Sequence, residues 1–391
     1  MLTFDGSYCW FGAPAVIYHK GVKEQTYFSW VTREGDIMVA AYDHATGEYT
    51  ENTLREKWES DDHDNPSLFI RKDGRVVVFF SKHRTPGAMQ RVISKEPEDI
   101  RSFGEALAWG TKVSYPNPFQ VGKQLFLFYR GINWHPTLAI SNDNGDTFET
   151  PKELISGGGA RPYVRYCQGK DGAIHIAFTT GHPRDELQNK IYYFKFKNNK
   201  FYRANGKLIK SFAGSGINID NHEAEIVYDG VSNGKGWIWD IAVDPQTQRP
   251  VLLYASFPDD VDHRYNYAYW DGKQWVNREM AQAGKWFPQT PEGEIEPEPN
   301  YSGGLTFDSN NPSIIYLSKQ VNGVFEIFKY ITSNRGETWY TQAITRNTPD
   351  DVVNVRPIVP RNHKPGDFDV LWMRGKYVHY YLDRNTEIWF R

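Results

Sequence analysis

The stretch Leu125–Phe148, LFLFYRGINWHPTLAISNDNGDTF, contains one unit of a repeat that predicts the fold. An apolar, aromatic-rich run comes first, followed by a polar link, a second apolar run and a turn rich in Asn, Asp and Gly. A similar order recurs at six other places, which begin near Tyr27, Val76, Ile174, Val251, Ile314 and Val370. The first three spacings are 49 residues each, and the later ones are 77, 63 and 56. Such a unit is too short for a β-α-β pair with its loops, but it suits four antiparallel strands.

Seven units predict an all-β protein, a seven-bladed β-propeller of four-stranded antiparallel blades, with residues 1–391 forming a single domain. We expect each apolar run that opens a unit to be the first strand of its blade. The N-terminal segment CWFGAPAVIYH is expected to complete the blade made by the C-terminus, because closure removes the last open sheet edge. The segments 207–236 and 291–300 are expected to be insertions.

Two segments resemble the Asp-box turn, S-x-D-x-G-x-T-W. They are SNDNGDTF at Ser141–Phe148 and SNRGETW at Ser333–Trp339, and the second lacks the Asp. In such a hairpin turn a short polar side chain binds local backbone groups, and Gly adopts the dihedral angles that other residues avoid. These boxes therefore indicate the fold and carry no chemistry.

The composition excludes several classes of function. There are 45 Lys and Arg residues against 48 Asp and Glu, a net charge of −3, so we expect no nucleic-acid partner. No apolar run reaches the roughly 18 residues that a membrane span needs, so we expect no membrane partner either. The two cysteines, Cys9 and Cys167, make no disulfide framework, and the N-terminus shows no signal peptide.

Polar residues occupy corresponding positions around the apolar runs of successive units. His63 lies in DDHDNP (Asp61–Pro66) before one run, and His83 follows that run. In the next unit, Tyr115 comes before the run and Arg130 ends it. Because equivalent strand ends meet on one side of such a fold, we expect these four side chains to converge. His182 follows the equivalent strand of the unit after that.

This set of residue types fits β-elimination from a uronic acid. An Arg pairs with the carboxylate in a fork, which makes the neighbouring C5 proton easier to remove. A His or a Tyr takes that proton, and another such group protonates the leaving oxygen at C4. Taken singly, a His in a turn or a Tyr before a Pro is more often structural, so the prediction depends on all four residues together. No nucleophile elbow, P-loop or zinc-protease motif occurs.

The motifs CWF, GDIMVAAYDHATGEYT, DDHDNP, SKHR, YPNPF with FLFYRG, GGGARPYVRY, DHRYNYAYWDG, NYSGGLTF and RPIVPRN resemble the BNR-4 repeat group of propeller proteins over nearly the whole chain. That group contains propeller ulvan lyases, and lyases and α-L-rhamnosidases that act on rhamnosyl-α-1,4-glucuronate ends. The lyases use two histidines about twenty residues apart, and a tyrosine and an arginine about sixteen apart. The matching residues here are His63 and His83, and Tyr115 and Arg130, which are fifteen apart.

The resemblance implies roles for these residues. Arg130 and one histidine would neutralise the carboxylate, and the other histidine and Tyr115 would be base and acid; which histidine has which role stays open. Further substrate-binding candidates are Tyr163, Arg161, Asn117 and His182. The resemblance implies an acidic polysaccharide or oligosaccharide as the partner. The likeness implies a secreted or periplasmic location.

Alternatives at this stage are an α-L-rhamnosidase on the same linkage, an ulvan lyase, and a propeller that binds glycans without catalysis. No cofactor is required, and the identity of any metal is unknown. A structural calcium is an alternative for the polar clusters at 221–225, Asp240, 259–264 and Tyr301. A weaker candidate is a zinc site made of Cys167, His182 and His222.

Overall fold

The computed structural model describes residues 1–259, 261–285, 298–299 and 303–391. The chain groups into two compact units. Unit 1 comprises Met1–Lys152, Ile358–Met373 and Tyr380–Arg391, and unit 2 comprises Glu153–Pro357 and Arg374–His379. Within the described residues, regular structure is almost entirely β-strand, with one α-helix of four residues. No helix in these parts of the chain has the length and apolar character needed to cross a membrane.

Three four-stranded antiparallel sheets come first along the chain. Their strands are β1 (Val16–Lys20), β2 (Glu24–Val31), β3 (Ile37–Asp43) and β4 (Tyr49–Arg55); β5 (Ser67–Ile70), β6 (Val76–Phe80), β7 (Met89–Ile93) and β8 (Leu107–Trp109); and β9 (Ser114–Val121), β10 (Gln124–Arg130), β11 (Pro136–Ser141) and β12 (Lys152–Glu153). Two 3-10 turns, η1 (Asp62–Asp64) and η2 (Ile132–Trp134), lie between strands.

Next along the chain comes a larger antiparallel sheet of unit 2. Its strands are β14 (Val164–Gln168), β15 (Ile174–Thr179), β16 (Ile191–Lys197), β17 (Lys200–Tyr202), β18 (Leu208–Ser211) and β20 (Glu225–Tyr228). A separate parallel pair is formed by β13 (Ile155–Ser156) and β19 (Ile217–Asn218). The helix α1 (Gly230–Asn233) follows β20. The segment 207–236, which we predicted as an insertion, therefore contains three strands and this short helix.

Two further four-stranded sheets lie in unit 2. Their strands are β21 (Lys235–Val243), β22 (Pro250–Phe257), β23 (His263–Trp270) and β24 (Trp275–Gly284); and β25 (Leu305–Phe307), β26 (Ile314–Val321), β27 (Val324–Ile331) and β28 (Tyr340–Ala343). The last strands along the chain are β29 (Val353–Ile358), β30 (Leu371–His379) and β31 (Asp383–Phe390). Of the predicted insertion at 291–300, only residues 298–299 are described.

These sheets confirm the predicted all-β fold of the propeller class with antiparallel blades. The blade count of seven and the single domain remain predictions. One detail was wrong, because the apolar run that opens each predicted unit is the second strand of its sheet. In the second sheet, for example, β5 precedes β6 in the order β5-β6-β7-β8. A fully apolar run marks a strand buried on both faces, and an edge strand needs no such run.

The strand β6, VVVFF, shows why the apolar runs are strands. All five of its residues are fully buried. Val76, Val78 and Phe80 pack in a cluster with side chains of β2 and β3. Val77 and Phe79 pack in a second cluster with side chains of β10. Alternate residues of a strand point to opposite faces, so one run fills two apolar layers between three sheets of unit 1.

The N-terminal residues pair with the C-terminal strand in unit 1. The N–H of Leu2 donates to the carbonyl of Ile388 at 2.7 Å, and the N–H of Gly6 donates to Thr386 at 2.9 Å. The segment CWFGAPAVIYH, which we expected in this position, instead runs into β1 of the first sheet. The predicted pairing of the N-terminus with the C-terminal strand is confirmed, and the segment assigned to it was wrong.

Both Asp-box turns form as expected. The first side chain, Ser141, accepts the N–H of the motif glycine at 2.7 Å, and the third, Asp143, accepts the N–H of the motif threonine at 2.9 Å. In the second box Thr332 and Asn334 make the same two bonds, at 2.8 and 3.0 Å. That motif therefore begins at Thr332, one residue before the predicted Ser333. A threonine hydroxyl and an asparagine amide oxygen replace the usual serine and aspartate because each can accept the same bond.

Candidate active site

The sequence DDHDNP forms a fixed turn in unit 1. Asp61 precedes η1, and its Oδ1 accepts the backbone N–H of His63 at 2.9 Å. Asn65 ends the turn, where its Oδ1 accepts the N–H of Cys9 at 3.0 Å and its Nδ2 donates to the carbonyl of Gly12 at 3.1 Å. Short side chains that bind nearby backbone are typical of such turns. This turn fixes the backbone from which His63 projects.

One buried carboxylate binds both histidines. Nδ1 of His63 donates to Oδ1 of Asp61 at 3.0 Å, and Nδ1 of His83 donates to Oδ2 of Asp61 at 3.0 Å. The two imidazole rings are stacked, with centres 4.4 Å apart and planes 13° from parallel. Asp61 is fully buried, and Asp62 Oδ1 lies 2.6 Å from the same nitrogen of His63. Because a carboxylate only accepts, it selects the tautomer with a proton on Nδ1 and leaves Nε2 of each ring for chemistry.

A second buried acid, Glu59, holds the loop that follows β6. Its Oε2 accepts the N–H groups of His83 and Arg84 at 3.1 and 2.8 Å. Its Oε1 accepts the N–H of Thr85 at 3.0 Å and the hydroxyl of the same residue at 2.5 Å. Charge-assisted bonds of this kind are stronger than neutral ones. Glu59 therefore fixes the backbone position of His83.

Tyr115 reaches the histidine pair from β9. Its hydroxyl lies 3.2 Å from Nε2 of His83, the nitrogen that faces away from Asp61. Its backbone has φ of 60°, although it is neither Gly nor Asn and precedes Pro116. Asn117 stabilises this conformation, since its Nδ2 donates to the carbonyls of Tyr115 at 2.9 Å and Phe11 at 2.7 Å. A buried aromatic residue in the left-handed region is unusual, and residues with such strained backbones cluster at functional sites.

Arg130 lies at the end of β10, next to the tyrosine. The pairing of β9 with β10 shifts register between Phe128 and Arg130. Such an irregularity re-aims the side chains that follow it. The guanidinium carbon of Arg130 lies 4.7 Å from the centre of the Tyr115 ring, and the side chain is largely buried. The four predicted residues therefore converge, as expected.

The two histidines differ in protonation. Burial alone would lower the pKa of His63, but the electrostatic effects of Cys9 and Tyr115, and of the Asp62 and Asp61 carboxylates, hold that pKa well above its ordinary value. Burial lowers the pKa of His83, the charge of His63 lowers it further, and Asp61 opposes both effects only in part. At neutral pH His63 is therefore the cation and His83 is neutral.

The acids beneath the histidines also differ. Burial would raise the pKa of Asp61, but the charges and hydrogen bonds of His83 and His63 hold it below its usual range. Burial raises the pKa of Asp64 well above its usual value, and the charges of Asp61 and Glu59 raise it further. Asp64 therefore keeps its proton to a higher pH than Asp61 does.

Two tyrosines beside the histidines were not predicted as site residues. The ring of Tyr380 lies 4.6 Å from that of His63 at an angle of 70°. The ring of Tyr381 is 4.6 Å from that of Tyr380, at 77°. The guanidinium carbon of Arg84 lies 4.5 Å from the centre of the Tyr381 ring. The sequence offers only an aromatic pair after β30, and nothing in that pair indicates a neighbour about 300 residues earlier in the chain.

The other predicted substrate residues lie in unit 2. Tyr163 and His182 form an aromatic group with Trp237, since their ring centres lie 4.8 and 4.9 Å from that of Trp237. Nδ1 of His182 accepts the N–H of Arg184 at 3.0 Å. Arg161 is exposed. Trp237 was not predicted as a member of this group. The substrate-binding roles of Tyr163, His182 and Arg161, and that of the buried Asn117 in unit 1, stay predictions.

The described parts of the chain contain groups of side chains that could bind a metal ion. Two sets have ligand atoms within 4.8 Å of one another: Asp61, His63 and His83, and Glu59, Asp61 and Asp64. Asp61, which belongs to both sets, and Glu59, which belongs to the second, already accept the hydrogen bonds described above. The weaker zinc candidate, Cys167, His182 and His222, is not among these sets.

One calcium candidate, Asp240, has other partners. Asp240 accepts from Arg165 at 3.1 Å, from the Thr306 hydroxyl at 2.9 Å and from the N–H of Phe307 at 3.0 Å. These bonds account for its charge without a metal ion. Tyr301 and Asp260 lie outside the described residues.

The sequence profile of the BNR repeat-containing family matches residues 25–283, so the chain belongs to that family. A more particular likeness comes from solved structures. An ulvan lyase described as a new family of polysaccharide lyase, bound to -[GlcA(1-4)Rha3S]-, is 16% identical with a TM-score of 0.75, covering 100% of this chain and 95% of that one. A second structure of an ulvan lyase of that polysaccharide lyase family is 16% identical with a TM-score of 0.74, and it also covers 100% of this chain and 95% of that one. At this identity the likeness shows a shared fold.

An α-L-arabinanase from Penicillium chrysogenum, complexed with arabinobiose, is 11% identical with a TM-score of 0.47, covering 81% of this chain and 92% of that one. A search of the curated proteins found no match to the sequence.

Proposed function

We propose that this protein is a polysaccharide lyase that cleaves by β-elimination at L-rhamnosyl-α-1,4-D-glucuronate linkages of acidic polysaccharides. One observation carries the proposal: two imidazoles bound to a single buried carboxylate share one spot with a tyrosine hydroxyl and a buried guanidinium. The shared fold with a lyase bound to a glucuronate–rhamnose sulfate repeat supports it. Action on an extracellular polymer would also fit the predicted secretion.

Two cations would neutralise the uronate. Arg130 and the cationic His63 offer N–H donors in the same site, and the carboxylate of the sugar accepts from both. Withdrawing charge from that carboxylate makes the proton at C5 more acidic, because the enolate-like intermediate carries its negative charge on the same oxygens. Stabilising that charge is the largest contribution to catalysis in reactions of this type.

The proton steps are assigned to the neutral histidine and the tyrosine. Nε2 of His83 takes the proton from C5, and the electron pair of the broken C–H bond forms the double bond between C4 and C5. The bond between C4 and O4 breaks, and the Tyr115 hydroxyl gives its proton to the leaving oxygen. The resulting phenolate then regains a proton from His83, 3.2 Å away, which restores both groups. The proposal therefore assigns His63 as the cation and His83 as the base.

Hydrolysis is less well supported. A glycoside hydrolase needs two carboxyl groups on either side of the linkage. In the DDHDNP turn, Asp61 accepts from both imidazoles, Asp62 contacts His63, and Asp64 is buried. Asp61 and Asp62 therefore already contact the histidines, and Asp64 is enclosed by protein. An α-L-rhamnosidase remains the alternative that the same substrates test.

The test uses a panel of uronate glycans, including ulvan and rhamnosyl–glucuronate oligosaccharides. A lyase forms an unsaturated uronate, which absorbs ultraviolet light and is one water lighter by mass than the hydrolysis product. Saturated glucuronate beside free rhamnose would establish the hydrolase instead. Binding of the glycans with no product of either kind would indicate a binding protein.

A further inference from the structure

Arg84 is a cation without an acidic partner beside the histidine pair. It follows His83 directly in the chain, its side chain is exposed, and no ion pair joins it to any residue in the described ranges. Glu59, the nearest acid in its contacts, binds its backbone N–H at 2.8 Å. In a protein with a net charge of −3, an unpaired guanidinium at the edge of a site indicates an anionic ligand group.

The guanidinium is held in place by an aromatic surface. It lies 4.5 Å from the centre of the Tyr381 ring, and Tyr381 packs edge-on to Tyr380. Tyr380 in turn contacts the His63 ring at 4.6 Å, and its carbonyl accepts the N–H of Asp62 at 3.2 Å. Cation–π contact reduces the conformational freedom of the Arg84 side chain before a ligand arrives, so less is lost on binding.

Both tyrosine rings are half-buried and continue from the histidines towards Arg84. Tyrosine presents a rigid apolar face with a polar tip, which suits a sugar ring that has apolar and hydroxyl-bearing surfaces. A chain of contacts therefore runs from His63 through the two tyrosines to the guanidinium. Two aromatic rings therefore separate the guanidinium from His63, so the guanidinium of Arg84 is not in direct contact with the histidine pair.

We propose that Arg84, Tyr380 and Tyr381 form a subsite for a sugar that adjoins the uronate and carries a sulfate or a carboxylate. The inference rests on the proposed function, because it places the uronate at His63 and Arg130. A guanidinium binds either oxyanion through two parallel N–H donors, so the shared chemistry is a planar or tetrahedral oxyanion on the neighbouring sugar.

The same loop provides a matched control. Lys82 is also a cation on an aromatic ring, with its Nζ 4.9 Å from the centre of the Trp58 ring. Trp58, however, packs against the apolar cluster between the first two sheets rather than on the histidines. Lys82→Ala therefore removes a positive charge two residues from Arg84 without touching the proposed subsite.

The experiment compares wild type, Arg84→Ala, Arg84→Lys and Lys82→Ala on three uronate oligosaccharides that carry a sulfate, a carboxylate or no anion on the neighbouring sugar. We expect Arg84→Ala to raise KM about ten- to a hundredfold on the preferred anionic substrate, as for loss of a hydrogen bond to a charged group. Arg84→Lys should raise KM less. Lys82→Ala should change KM little on any of the substrates, and Arg84→Ala should change it little on the neutral substrate. The anion whose removal abolishes the Arg84 effect identifies the group.

An equal loss in Arg84→Ala on charged and neutral substrates, or an equal loss in Lys82→Ala, would overturn the subsite while leaving the proposed function intact. If wild type turns over none of the oligosaccharides, the proposed function fails. Isothermal titration of the sulfated oligosaccharide then tests the subsite alone: weaker binding by Arg84→Ala than by Lys82→Ala supports it, and equal binding contradicts it.

Discussion

The imidazole rings of His63 and His83 are stacked 4.4 Å apart, and each is bound through Nδ1 to a different oxygen of the same carboxylate. Two imidazolium rings at this distance would repel each other, and the single charge of Asp61 cannot compensate for both. The pair therefore holds one positive charge over a wide range of pH, with the proton on His63 for the reasons given above. Two residues of one type that share a carboxylate thus differ in protonation because their other neighbours differ.

Asp61→Asn should reduce kcat far more than it changes KM. An amide at this position can donate as well as accept, so it no longer selects the Nδ1–H tautomer of the neutral His83, and it removes the negative charge beside the cationic His63. Loss of tautomer control in a comparable histidine–carboxylate pair lowers kcat by about 10⁴-fold, so we expect a drop of about 10²- to 10⁴-fold. Nitrogen-15 NMR of the two imidazoles would show the change of tautomer directly.

Asp62→Asn is the control, because it removes a carboxylate next to His63 while the bridge through Asp61 remains. Equal losses in the two variants would contradict the importance of the shared bridge.

The pH profile of kcat/KM should be a broad bell. His83 must be neutral to accept a proton, and its pKa is lowered, so the acid limb should fall below the ordinary histidine value of about 6.5. His63 must be charged, and its pKa is raised, so the alkaline limb should lie above that value. A profile with a single limb centred on the ordinary histidine value would contradict this assignment. Because the two histidines interact, the apparent pKa values of the two limbs describe the pair and not either residue alone.

The same shifts predict how stability depends on pH. The raised pKa of His63 contributes stability that is fully present below the unfolded value of about 6.5 and is lost as pH rises through the folded value. The lowered pKa of His83 acts in the opposite sense, so its contribution is lost as pH falls from about 6.5 through its folded value. Urea unfolding of His63→Ala and His83→Ala across this range should show opposite pH slopes relative to wild type.

Tyr115→Phe should abolish most of the activity and leave the fold intact. The substitution keeps the ring that packs against Arg130 and Phe11 and removes only the hydroxyl near His83. Loss of a general acid typically lowers the rate by about 10²- to 10⁴-fold. Thermal unfolding should change little, and kcat is the measurement. Tyr49→Phe removes a hydroxyl from the exposed end of β4 and should leave kcat unchanged.

Glu59→Ala should destabilise the protein and weaken catalysis together. The substitution leaves three backbone N–H groups and a hydroxyl around a buried position without their acceptor. Hydrogen bonds to a charged group are each worth about 1.5–3 kcal/mol, so we expect a loss of at least about 2 kcal/mol in the free energy of unfolding, measured in urea. The exposed Glu51→Ala on β4 is the control and should change neither quantity.

The sequence predicted the convergence of the four candidate residues better than it predicted the strands that carry them. His63, His83, Tyr115 and Arg130 were found because they flank apolar runs at corresponding positions of two neighbouring units. The runs themselves were assigned to the wrong strand of each sheet, since a run buried on both faces is the part of a sheet with the clearest pattern. The edge strand β5, SLFI, is short and looks like the end of the preceding turn.

The sequence by itself determined the repeat, the antiparallel strands and the four residue types of the site, because alternation along a strand and turn chemistry are local properties. Only the tertiary structure decided that Asp61 binds both histidines, that Tyr380 packs against His63, and that residues 2–6 rather than Cys9–His19 pair with the last strand. Those contacts join residues far apart in the chain. Their geometry depends on how whole sheets pack, and no local pattern of side chains encodes it.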